Sequence, residues 1–146
     1  MLIDITETPL NPWQRLEAYQ QQRTELAGKY GATAVFVGTM RDFNEGDDVT
    51  AMQLEHYPGM TEKYLRAIVE QAMQQWSLQD VLIVHRVGVV QPSETIVVLA
   101  VWSAHRADAF EASRHLMELL KSKAPFWKKE TLTSGDMRWV EQNTPG

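Results

Sequence analysis

The chain has 146 residues, no cysteine, 44% apolar residues, and 14 Lys+Arg against 19 Asp+Glu for a net charge of −5. That is the size of one domain, able to withdraw roughly two-thirds of its surface from water on folding without a disulfide or metal staple. The missing cysteines exclude thiolate metal sites, a cysteine nucleophile and a persulfide carried on this chain. The acidic balance argues against general affinity for nucleic acid or membrane surfaces.

Met1–Glu7 lacks the basic region of a secretory signal, and no apolar run approaches the roughly 20 residues of a bilayer span. A soluble cytoplasmic protein is expected. Asn11-Pro12 reads as an N-cap with proline at the first helical position, opening a helix that runs to about Lys29 and stops at Gly31. Its apolar stripe (Trp13, Leu16, Tyr19, Leu26, Ala27, Tyr30) is thin, so residues 1–30 are expected to pack peripherally on a single domain spanning 1–146. Ala32–Met40 is β-rich and nearly unbroken, as in a strand covered on both faces. Arg41–Asp48 is turn-forming and reads as a mobile loop, after which strand alternation resumes through Met52, Leu54 and His56.

After Pro58-Gly59, Thr61 is a candidate cap for a helix carrying Leu65, Ile68, Val69, Ala72, Met73 and Trp76 at helical spacing. Strands follow over Val81 to about Val90 and Thr95–Trp102. Ser103 can cap a helix from about Ala104 to Lys121, and Pro125 stops it from extending far. Trp127–Leu132 and Met137–Glu141 read as a hairpin around Thr133-Ser134-Gly135-Asp136. The order α-β-β-α-β-β-α-β-β points to an α+β domain with a mostly antiparallel sheet.

Three places carry positive charge against the acidic background. Lys121-Ser122-Lys123-Ala124-Pro125-Phe126-Trp127-Lys128-Lys129 holds four lysines and no acid, with two aromatics to anchor its backbone. Ser103-Ala104-His105-Arg106 puts an arginine at an expected helix start, where the dipole already favours anions. Arg41 follows a strand directly, and reads either as an anion clamp or as a surface ion pair with Asp42, Asp47 or Asp48. His56, His85 and His115 share no metal-ligand spacing and read as structural, so no metal site is expected. Crowded cations depress one another's pKa, and a neutral lysine is a nucleophile or general base. The residues thus point to an enzyme acting on a small phosphorylated substrate. A non-catalytic module for single-stranded RNA or an acidic peptide, and a self-sufficient lysine acyl or aldol enzyme, remain as alternatives.

Leu54-Glu55-His56-Tyr57-Pro58-Gly59-Met60-Thr61-Glu62-Lys63, Ser103-Ala104-His105-Arg106 and Lys121–Glu130 together resemble the large, catalytic subunits of molybdopterin synthases. Gly38-Thr39-Met40-Arg41 and Gly135-Asp136-Met137-Arg138-Trp139-Val140 fit the same pattern, so the likeness covers about residues 31–141. The resemblance implies an α/β-hammerhead-like fold and a homodimer, with a small ubiquitin-like sulfur carrier on each subunit to make a heterotetramer. It implies that the carrier's C-terminal Gly-Gly thiocarboxylate gives two sulfurs in turn to cyclic pyranopterin monophosphate, forming the molybdopterin dithiolene without a cofactor. Lys121 and Lys128 would be catalytic. Thr39, Met40, Arg41, His105, Arg106, Lys129 and Glu130 would line the substrate pocket with them, His105 and Arg106 in either their own or the neighbouring subunit's site. The sequence ends soon after Trp139, so a longer basic tail is not expected to complete the site.

Overall fold

The computed structural model describes residues 1–140. In it the chain runs β1 (Leu2–Thr6), α1 (Pro12–Gln22), a 3-10 turn (Thr24–Leu26), β2 (Ala32–Thr39), β3 (Phe43–Asn44), β4 (Asp47–His56) and α2 (Met60–Gln75). There follow β5 (Leu78–Arg86), β6 (Gly88–Val90), β7 (Thr95–Ser103), α3 (Arg106–Ser122), β8 (Phe126–Leu132) and β9 (Met137–Trp139). One sheet has the order β1-β5-β7-β2, and only its β1–β5 pair is parallel. In the second sheet β4 pairs with β8 along one side and with β3 and β6 along the other, and β9 flanks β8. The fold is mixed α+β and mostly antiparallel, as the order of elements suggested.

The central strands β5 and β7 are apolar on both faces because both faces are covered. Val81, Ile83, Val97, Leu99 and Val101 point to one side, where they meet Leu65, Val69 and Ala72 of α2 and Ala112, Leu116 and Leu120 of α3. The alternate residues Leu82, Val84, Val98, Ala100 and Trp102 pack on Leu10 and Tyr19. Each fully buried aliphatic side chain in these layers contributes roughly 1.5–3 kcal/mol.

Several expected elements are corrected. The first residues form a strand, β1, too short and too mixed to stand out by alternation. The first helix ends at Gln22 rather than Lys29, because Arg23 leaves helical geometry (ψ 58°) and its Nε comes to 3.0 Å from Asp80. That carboxylate is fully buried, with the N-terminal ammonium at 3.0 Å and the Tyr19 hydroxyl donating to it at 2.7 Å. The second helix is capped at Gly59, whose φ of 85° suits glycine and whose N–H donates to Glu62 Oε2 at 2.6 Å. Thr61 instead bridges segments, accepting from Tyr57 N–H and donating to the Pro125 carbonyl, both at 3.0 Å. The strand expected over 81–90 breaks after Arg86, and Gly88 (φ 92°) turns its last residues onto β4, so one run of chain serves both sheets. Ser103 closes β7, its hydroxyl donating to the Ser77 carbonyl, and His105 occupies the N-cap position of α3.

Two further corrections bear on the site. β2 is an edge strand rather than a strand covered on both faces, with Val35 37% and Phe36 40% exposed. Residues 41–48 are not a bare loop but a hairpin, β3 against the start of β4, with positive φ at Glu45 and Gly46. The expected end of the last strand at Glu141 lies outside the described residues.

Candidate active site

Where the two sheets meet, a cleft of about 360 Å³ opens between the end of β2, the β3–β4 hairpin, the last turn of α3 and β8. Its wall includes Phe36, Thr39, Met40, Arg41, Phe43 and Asn44, and Lys121, Lys128 and Glu130 line it from the other side. Each cation arrives by a different route. Lys121 sits in the final turn of α3, where a positive charge also suits the dipole. Lys128 lies on β8 opposite Leu54, and strand alternation puts it on the same face as Glu130. Arg41 follows β2, and its guanidinium lies 4.9 Å from the centre of the Phe43 ring on the hairpin.

The two lysine side chains are hydrogen-bonded to each other. Burial lowers both pKa values, that of Lys128 to about 8, and the neighbouring Lys121 charge lowers Lys128 further. The bond favours the charged form of Lys121 and the neutral form of Lys128. An ammonium donating to an amine is the arrangement these effects describe. Behind them the buried His85 ring stacks on Phe126 with centroids 3.9 Å apart, and its Nδ1 lies 2.7 Å from the Arg86 carbonyl oxygen. Burial above all, with the lysine charges beyond it, drives its pKa down to about 3, so it is a neutral structural histidine.

Glu130 is 2% exposed and both its oxygens are engaged. Asn44 Nδ2 donates to Oε1 at 3.2 Å and Oε2 at 3.0 Å, and Arg138 Nε donates to Oε1 at 3.0 Å. Met40 is buried and held by its backbone, its N–H donating to the Glu94 carbonyl at 2.9 Å.

The expected set divides. Thr39, Met40, Arg41, Lys121, Lys128 and Glu130 share the cleft. Lys129 points to the opposite face of β8, with its Nζ 5.4 Å from the Trp139 ring centre. His105 and Arg106 are exposed at the far end of the fold. Ala32 pairs with Ser103 there, whereas Thr39 pairs with Thr95 beside the cleft. Seven residues of strand span about 23 Å, and the fifteen residues of helix from Arg106 to Lys121 about 22 Å. One chain therefore does not bring all these cations together.

Sequence reading missed Phe36, Phe43, Asn44 and Arg138. Only Arg138 stood in a motif singled out beforehand, and its partners became visible with the β8–β9 register, where it faces Glu130. A second and longer groove, about 730 Å³, runs outside β2 along α3 and is lined by Val35, Phe36, Phe110 and Met117. Phe110 is 67% exposed. No helix among the described residues is long and apolar enough to cross a membrane.

A cleft that gathers two lysines of lowered pKa and an arginine is the kind of site enzymes use for acid–base chemistry. Over residues 5–123 the chain matches the family described as MoaE protein. It is 55% identical over 111 residues to the molybdopterin synthase catalytic subunit of Pasteurella multocida, covering 76% of this chain and 73% of that one. It is 46% identical over 141 residues to the corresponding subunit of Pseudomonas aeruginosa, covering 97% and 91%. The structure of molybdopterin synthase from Staphylococcus aureus matches with a TM-score of 0.83 at 31% identity, covering 95% and 96%. A protein–protein complex of subunits 1 and 2 of molybdopterin-converting factor from Helicobacter pylori shares the fold, with a TM-score of 0.79 at 20% identity over 97% and 92% of the two chains. The chain belongs to the MoaE family. It is a sulfur-transferring enzyme of molybdenum cofactor biosynthesis.

Proposed function

We propose that the lysine cleft is where a carrier protein's C-terminal thiocarboxylate gives sulfur to cyclic pyranopterin monophosphate, twice per molecule, to form the dithiolene. The observation that carries this reading is the hydrogen-bonded pair of Lys121 and Lys128 on the wall of a cleft that also holds Arg41. A chain without cysteine must receive its sulfur from a partner, and an extended Gly-Gly tail is thin enough to reach between the hairpin and β8. Each new bond from sulfur to the pterin side chain replaces a carbon–oxygen bond there, the oxygen leaving as water or staying on the opened phosphate. When water then adds to the carrier's acyl–sulfur carbonyl to break its bond to sulfur, negative charge develops on the carbonyl oxygen. Lys121, the ammonium of the pair, stabilises that oxyanion. Lys128, the amine, takes the proton released when water completes the exchange to a carboxylate. Arg41 holds the substrate phosphate, with Thr39 and the Met40 backbone shaping the wall beside it. The carrier is a small ubiquitin-like protein, and the work is done in the cytoplasm.

The working unit is a homodimer with one carrier per subunit. The exposed edge of β2 and the apolar groove beside it support this. Antiparallel pairing of two β2 edges about an axis between Val35 and Phe36 sets Ala32 of the second copy opposite Thr39. Ser103 of that copy then lies about 10 Å from Thr39, two strand spacings away. His105 and Arg106 of the second copy thereby reach the phosphate end of the cleft, which their own chain keeps about 22 Å from them.

The test is to mix the protein with a thiocarboxylated carrier and the pyranopterin phosphate and follow the product by mass. Two sulfurs gained per pterin are expected with the native chain, and none with Lys121→Ala that still binds the carrier. Unchanged turnover by that variant removes Lys121 from the chemistry.

A further inference from the structure

Arg138, on the outermost strand of the second sheet, commits three of its nitrogens beside the lysine cleft. Nε donates to Glu130 Oε1 at 3.0 Å, Nη1 to Asp47 Oδ2 at 2.9 Å and Nη2 to the Asn44 carbonyl at 2.9 Å. Glu45 Oε2 lies 3.7 Å from Nη1. One planar fork thus grips a buried carboxylate on β8 and both arms of the β3–β4 hairpin. Asn44 closes the loop by donating to both oxygens of Glu130. The same hairpin carries Phe43, against which Arg41 rests.

We propose that Arg138 is a positioning residue for the sulfur-transfer site: its fork holds the Glu130 carboxylate against the hairpin and away from the Lys128 amine, and by fixing the hairpin it seats Arg41 at the mouth of the cleft. The consequence for turnover rests on the function proposed above; the positioning itself does not.

The electrostatic need is specific. Lys128 is faced by Lys121 from α3, Arg41 beyond β2, Glu130 on its own strand and the neutral His85 of β5, with His56 of β4 beyond that ring. Glu130 is an acid that acts on Lys128 among the described residues, two residues from it and on the same face, so their Cα atoms lie about 7 Å apart. Released from Arg138 and Asn44, its carboxylate finds the nearest cation. An ion pair with Lys128 would hold that amine protonated and remove the proton acceptor. The guanidinium supplies a competing partner, with one N–H on Glu130 and two nitrogens on the hairpin, and its charge does not titrate.

The experiment is competitive acetylation of the full chain across pH 6–11, with Lys128 followed by peptide mass spectrometry and the exposed Lys63 as internal reference. Arg138→Gln is expected to move the Lys128 midpoint up by about one pH unit, leaving roughly tenfold less amine at pH 7. Arg138→Lys, a milder change in case the glutamine variant fails to fold, is expected to move it the same way by less. Adding Glu130→Gln to Arg138→Gln should bring the midpoint back to the native value or below. Relative to the native protein at the same pH, sulfur transfer by Arg138→Gln should be about tenfold lower at pH 7 and approach parity above pH 9.5, with the loss mostly in kcat. A Lys128 midpoint unmoved in the variants, or moved equally in the double variant, overturns the proposal. A shifted midpoint in a protein that transfers no sulfur even in its native form supports the positioning and sinks the functional reading instead.

Discussion

Lys128→Arg separates a charge role from a proton-acceptor role at one atom's position. Arginine keeps the positive charge but stays protonated at any working pH. With Lys128 at about 8, roughly one chain in ten holds the free amine at pH 7 and about nine in ten at pH 9. Deprotonation accompanies rising pH, so native kcat should climb about tenfold between those values. It should fall again at higher pH as Lys121, whose pKa is also lowered, loses the proton that stabilises the oxyanion. In Lys128→Arg the rise vanishes and the rate drops by about 10²–10⁴, the usual contribution of a general base, while KM for the phosphorylated substrate changes little. Single-turnover product formation at saturating carrier, at half-unit pH steps, reads both effects. An arginine variant retaining a third of native activity, or a native profile flat from pH 7 to 9, refutes the assignment of the amine.

Subunit mixing tests the composite site. Lys121→Ala and Arg106→Ala homodimers should each be nearly inactive at low substrate, and their mixture should recover about a quarter of native activity, because half of the dimers are mixed and each has one intact site; no recovery after verified exchange places Arg106 in its own chain's site or none. Asp80→Asn leaves Arg23 without its buried carboxylate; since Arg23 is one-third exposed, the cost should be about 2 kcal/mol. Calorimetry should then show Tm lower by roughly 4–8 °C, and an unchanged Tm would mean that the buried network adds nothing.

How far the sequence could be read depended on what each signal measures. Helical spacing in α2 fixed its buried face correctly, because Leu65, Ile68, Val69 and Ala72 report burial directly. Its start was misplaced by two residues, because a threonine before a helix looks like a cap whether it caps or, as Thr61 does, ties the segment to Pro125. An apolar run says that a strand is covered, not by what. β2 reads like β7, yet in one chain β7 is central and β2 an edge. Lys121, Lys128 and Arg41 converge as the charge pattern suggested. Period-two alternation on β8 already separates Lys129 from Lys128 and Glu130, a signal the lysine count obscured. His105 and Arg106 stood out as helix-start cations, but sequence carries no measure of the full length of α3 that parts them from Lys121. Arg138 had no legible partner until β9 was paired in register with β8.

Phe36 and Lys121 each border two hollows, the cleft and the outer groove along α3. Under the proposed pairing, the seam between two copies and the acid–base pair therefore share a wall one side chain thick. Such an enzyme would lose turnover on dilution before it loses its fold. A residue exchanged at position 36 must satisfy a neighbouring molecule and a reaction at once, which leaves that position little room to drift.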